Sequence, residues 1–140
     1  MAFAGMNVLA ILVAAIAGFV FGAVWYGALG KYWMAALGKT EAEIKGPSGK
    51  VSPLPFILAA IAQLIMAWVL AGIIGHLGPG QVTLKNGVIS ALFVWLGFVA
   101  TTLVVNHGFS GAKRSLTLID GGHWLGVLVI MGAVIGWFGI

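Results

Sequence analysis

The sequence predicts an all-α membrane protein, a four-transmembrane-helix bundle with a short interfacial helix in its first loop. Three observations carry the prediction. The 140-residue chain is 61% hydrophobic and 7% charged, whereas a soluble domain carries about a quarter charged residues because its surface meets water. The apolar residues gather into four stretches, Asn7 to Leu29, Leu54 to Gly75, Val82 to Asn106 and Gly122 to Ile140. Lys and Arg fall almost wholly between those stretches.

About 20 helical residues, at about 1.5 Å each, cross a hydrocarbon core about 30 Å thick, and each stretch is long enough to do so. Lys85 is the only charge within any of them, and it lies close to an end. In lipid every backbone N–H needs a partner from its own segment, which a helix provides residue by residue. The alternation of a membrane β-barrel is absent. The first stretch lacks a basic leader and is longer than the apolar region of a secretion signal, so it is read as a retained span. Residues 1–140 then form a single transmembrane domain.

The first loop, residues 30–53, holds Lys31, Lys39, Lys45 and Lys50, and the third, residues 107–121, holds Lys113 and Arg114. The opposite side has Lys85 alone. Basic short loops stay in the cytoplasm, so both termini are expected outside it. Trp25, Tyr26, Trp33 and Trp124 then form an aromatic belt at the cytoplasmic boundary, with Trp137 near the other. The 7 basic against 3 acidic residues are too few and too scattered for a nucleic-acid surface, and topology accounts for them. With no cysteine, disulfides, thiolate metal sites and cysteine nucleophiles are excluded.

In the first loop, Lys31 to Leu37 mixes Lys, Tyr, Trp, Met and Leu and suits the interface plane. Thr40 and Glu43 have capping-box spacing and predict a short helix through Lys45. Gly46-Pro47-Ser48-Gly49 ends it, and Pro53 and Pro55 introduce the second span. Gly78-Pro79-Gly80 marks the second loop as a tight turn. The third loop resembles a phosphate loop only superficially, because the Gly-Lys-Ser/Thr spacing and a parallel sheet are both missing. Lys113 and Arg114 are expected to meet anionic headgroups, at about 1 kcal/mol each.

Helices in lipid associate through close contact at small residues. Ala14, Gly18 and Gly22 form such a stripe on the first span. Ala59, Ala67, Ala71 and Gly75 form one on the second, with Gln63 in register; Gly122, Gly126, Gly132 and Gly136 mark the fourth. These faces serve either a closed monomer or a homo-oligomer. Gln63, near mid-membrane, is expected to bond to Ser90, Thr101 or Thr102 of the third span as glue between helices, rather than to line a path.

The candidate polar cluster is Asn106, His107, Asp120 and His123, with Tyr26 nearby, at the cytoplasmic boundary. Two imidazoles and a carboxylate have the chemistry of a metal or proton site. The structural reading is favoured: Asp120 just before the fourth span caps its free N–H groups, and the histidines are half-polar rings at an interface. No metal-ligand spacing is present, so no metal or other cofactor is expected. His76 lies at the other face. No nucleophile–base–acid arrangement or paired catalytic carboxylate is readable, since Glu41 and Glu43 sit in a solvated loop.

Two segments carry a family likeness. Trp25-Tyr26-Gly27-Ala28-Leu29-Gly30-Lys31-Tyr32-Trp33-Met34 resembles the end of the first span in the DUF1761 family of small bacterial membrane proteins. Lys113-Arg114-Ser115, Ile119-Asp120-Gly121-Gly122-His123-Trp124 and Met131-Gly132-Ala133-Val134-Ile135-Gly136-Trp137 resemble its third loop and fourth span. Where this chain has Gly122-His123-Trp124 the family tends to Gly-Tyr-His, which moves the polar ring by one position, about a hundred degrees around a helix. The resemblance implies a four-span protein of a bacterial inner membrane and supplies no activity. The expected function is a non-catalytic membrane module that self-associates or docks on a complex. The alternatives are a small channel or carrier with a path near Gln63, Thr101 and Thr102, and an interfacial enzyme or metal site at His107, Asp120 and His123.

Overall fold

The computed structural model describes residues 2–140. Its helices are α1 (Val8–Leu37), α2 (Glu41–Lys45), α3 (Leu54–Gly75), α4 (Leu84–Ser110) and α5 (Arg114–Phe138). All but α2 are long and apolar enough to cross a membrane, and no strand occurs among the described residues. The protein is an all-helical bundle of four such spans.

The helix ends follow local chemistry, and three of them differ from the sequence expectation. Asn7 caps α1, its Oδ1 accepting from the Ala10 N–H at 3.1 Å. Past Leu29 the helix continues through Lys31–Leu37 instead of yielding to a separate segment in the interface plane. No breaker intervenes until Gly38, whose left-handed φ of 70° lets the Gly38 and Lys39 N–H groups turn back onto the Ala35 and Met34 carbonyls. At 30 residues, α1 is about 45 Å long and outreaches the hydrocarbon core.

The short α2 has its capping box: the Thr40 hydroxyl accepts from the Glu43 N–H and donates to the Glu43 carboxylate. The Lys45 ammonium, 2.7 Å from Glu41, holds that carboxyl below its ordinary range. The second loop is a tight turn, with Gly78 and Gly80 at positive φ.

The third loop is much shorter than 107–121. Asn106 and His107 belong to α4, which ends at Gly111 with φ 70°, and α5 begins at Arg114. Gly111 is the only residue there that forces a turn; the polar residues around it are compatible with helix and continue one on either side. Asp120 therefore lies six residues inside α5 and does not cap it. Lys113 caps across helices, donating from Nζ to the Ala35 carbonyl near the end of α1 at 3.2 Å. A second unexpected feature is the π turn Trp95–Ala100 in the middle of α4.

The last helix is the hub. α1 and α4 pack on α5, and α3 packs mainly on α1. The core holds Ala14, Ala67, Leu70, Ile74, Val127 and Met131, all nearly inaccessible. Small residues set the distances. A Cβ on Gly87 of α4 would fall on the backbone carbonyl of Gly132 of α5, and one on Gly132 would fall on that of Gly87. Gly136 meets the Thr83 backbone in the same seam, while Gly126 and Gly122 receive Phe21 and Trp25 of α1. Ala71 is buried in the core cluster. At the far end Gly75 meets Phe3 and the Gly5 carbonyl, and its own carbonyl accepts from the Ala4 N–H at 2.9 Å. The sequence stripes noted Gly132 and missed its counterpart Gly87.

Gly132→Val should cost about 3 kcal/mol or more, because neither backbone can move aside. Gly27→Ala, whose Cβ would meet nothing within 4 Å, should stabilise by about 0.5–1 kcal/mol through helix propensity. Unfolding in mixed detergent–SDS micelles measures both.

Candidate functional site

Where α1, α4 and α5 meet, three aromatic side chains reach one short segment of α5. Trp25 Nε1 donates to the Ile119 carbonyl at 3.0 Å, Tyr26 Oη donates to Asp120 Oδ1 at 2.6 Å, and Trp95 Nε1 donates to the Gly121 carbonyl at 2.9 Å. Consecutive residues of α5 are thus held from two sides. Trp25 lies flat enough for this because Gly122 has no side chain: a Cβ there would come within 2.8 Å of its ring. Tyr26 lies one turn beyond Gly22 on the same face of α1. The phenol–carboxylate bond is short, as charge-assisted O–H···O⁻ bonds are.

His123, one turn after Asp120 on α5, is buried. Its ring stands 4.8 Å from that of Tyr26 and 6.4 Å from that of Phe21, between centroids, and its Nε2 lies against Gly22. Its Nδ1 has no hydrogen-bond partner among the described residues. Of the expected cluster, the structure brings together Tyr26, Asp120 and His123. His107 is elsewhere, its Nδ1 2.8 Å from the Thr117 hydroxyl, and Asn106 is exposed. No group of three His, Asp or Glu residues gathers within reach of one metal ion among the described residues. His76, at the opposite end, packs on Phe3 and bonds to the Gly72 carbonyl.

The mid-membrane polar residues part company too. Gln63 is buried, but its Oε1 faces Gly18 of α1 with Met131 and Val127 of α5 beside it, and has no hydrogen-bond partner among the described residues. It makes no bond to the third span. Thr101 and Thr102 are exposed, and their hydroxyls donate to the Gly97 and Phe98 carbonyls of their own helix. Those carbonyls belong to the π turn, where the regular ladder is interrupted and lipid offers no substitute. Ser90 is half-buried and is not bonded to Gln63.

Sequence reasoning missed Trp25 and Trp95 as interhelical donors. Trp25 reads as an interface-belt residue, but its N–H points inward. Trp95 carried a signal: an indole far from either end of a span has a polar N–H that only a neighbouring helix can satisfy.

The fold and this interlock define a small multi-pass α-helical membrane protein whose last helix is held by aromatic donors from two others. The chain belongs to the DUF1761 family: the profile described as "Protein of unknown function (DUF1761)" matches residues 9–136. No curated protein and no solved structure matches it.

Tyr26→Phe and Asp120→Asn should each destabilise the bundle by about 1.5–3 kcal/mol, the range for a hydrogen bond to a charged group. A double-mutant cycle should return most of that loss as coupling between the two residues. Additive effects would show that the bond carries no stability.

Proposed function

We propose that this protein is a non-catalytic docking module of a bacterial inner membrane, presenting the outer face of α4 to a second copy or to another membrane protein. Residues 30–53 and the α4–α5 turn face the cytoplasm, where Lys113 and Arg114 lie near anionic headgroups, and both termini lie outside.

One observation carries the reading: α4 is scarcely covered by its own chain. Only 6% of its most apolar stretch is buried, against 28% to 39% in the other spans. Phe93 and Phe98 are both 75% exposed, and Leu96, Val104 and Val105 lie open around them. Elsewhere the small-residue stripes that could have served association face other helices of the same bundle. The carrier reading has less support, since Gln63 and the pair Thr101 and Thr102 face different surroundings.

The chain is free of cysteine, so single cysteines report without background. Phe93→Cys and Phe98→Cys should form cross-linked species in native membranes on mild oxidation, while Ile16→Cys on the exposed face of α1 should not. Dimers would identify self-association and heavier adducts a different partner; an uncross-linked monomer in both α4 variants would overturn the docking reading. Arg114→Cys should react with an impermeant maleimide only from the cytoplasmic side, and labelling from outside would reverse the orientation.

A further inference from the structure

Gly18, Gly22 and Tyr26 recur every fourth residue of α1 and so follow one face, each about 6 Å from the next. Three side chains of other helices lie along it: Gln63 of α3 against Gly18, His123 of α5 against Gly22, and Asp120 of α5 on the Tyr26 hydroxyl. The inner two are 2% and 5% exposed, and each keeps a polar atom without a partner among the described residues, Gln63 Oε1 and His123 Nδ1. An unsatisfied buried acceptor or donor carries a desolvation cost, and an apolar side chain would fill either place without that penalty. An imidazole with an open nitrogen has a capacity that an apolar side chain lacks: it gains or loses a proton with almost no change of shape.

We propose that His123 is a reversible proton-binding site, reached past Asp120 and Tyr26 from the end of the bundle where the α4–α5 turn lies, and closed beyond Gln63. A proton given up by hydronium, which leaves as water, binds the free lone pair of the His123 ring. The ring becomes an imidazolium with two N–H groups, and the Asp120 carboxylate one turn back along α5, which accepts from the Tyr26 hydroxyl, serves as its counter-ion. One proton is taken up. The titratable groups beside His123 are Asp120 on its own helix and Tyr26 on α1; α3 contributes the uncharged Gln63. On α4 the nearby polar group is the Trp95 indole, committed to Gly121, and His107 is bonded to Thr117. Beyond Gln63 the interior consists of Ile11, Ala14, Ala67, Leu70, Val127 and Met131, which offer a proton nothing. The site is a blind well.

Imidazole nitrogen NMR of the ¹⁵N-labelled protein in phosphatidylcholine nanodiscs tests this, with the His123 signals assigned by their loss in His123→Gln. In the wild type those signals should pass reversibly from the neutral to the imidazolium pattern between about pH 9 and about pH 4, with the Trp25 and Trp95 indole signals unmoved. In Asp120→Asn the ratio of imidazolium to neutral ring at the wild-type midpoint should fall about tenfold, as loss of a neighbouring counter-charge requires. A His123 ring that stays neutral throughout would overturn the proposal, as would an Asp120→Asn titration that superimposes on the wild type. The closed end is read separately: proteoliposomes under an acid gradient should leak protons no faster than empty liposomes, and a leak abolished by His123→Gln would replace the well with a path.

Discussion

Hydrocarbon supplies no hydrogen bonds, and each polar group this chain brings into the bundle has to be answered by its own helix, by another helix, or left open. The side chains meet that condition unevenly. The Trp25, Tyr26 and Trp95 donors converge on Ile119, Asp120 and Gly121, so the rotation and depth of α5 relative to α1 and α4 are specified by direction as well as by shape. Thr101 and Thr102 satisfy themselves locally. Gln63 and His123 each keep an unanswered atom, and both face the same glycine stripe.

Shape completes what those bonds begin. Apolar burial holds membrane helices together weakly because lipid tails are as apolar as leucine, and contact distance becomes the controlling variable. Gly87 and Gly132 bring two backbones together, and Gly122 and Gly126 let aromatic rings of α1 lie on α5. A hub helix that is glycine-rich on two faces can receive a neighbour on each. α3, which reaches the hub less, is tied to α1 instead and is further secured at its end by the Ala4–Gly75 bond.

The spans were legible because length and composition suffice to recognise them, and α3 matches its expected bounds residue for residue. The capping box of α2 and the turn at Gly78 and Gly80 were legible because their chemistry is local. The third loop was not. Its polar residues suggested loop from His107 to Gly121, yet polarity at a membrane boundary is equally at home on a helix that projects beyond the oil, and only Gly111 breaks the chain. That error displaced Asp120 from the interior of a helix to a cap. Tyr26, Asp120 and His123 were legible as a group from their shared depth, whereas the company kept by Gln63 was not, since depth leaves undecided which neighbouring helix a side chain meets. The π turn left no compositional trace that periodicity could separate from ordinary helix.

The position of the hub bears on how the protein is made. The partners that Trp25, Tyr26 and Trp95 require sit on a helix that leaves the ribosome after α1, α3 and α4. Until α5 is synthesised, the indole and phenol donors of α1 and α4 have no acceptor within the chain. α1 and α3 can pair before then, while α4 still lacks the helix it mainly packs on. The two seams that α1 and α4 share with α5 close only when that helix reaches its waiting contacts.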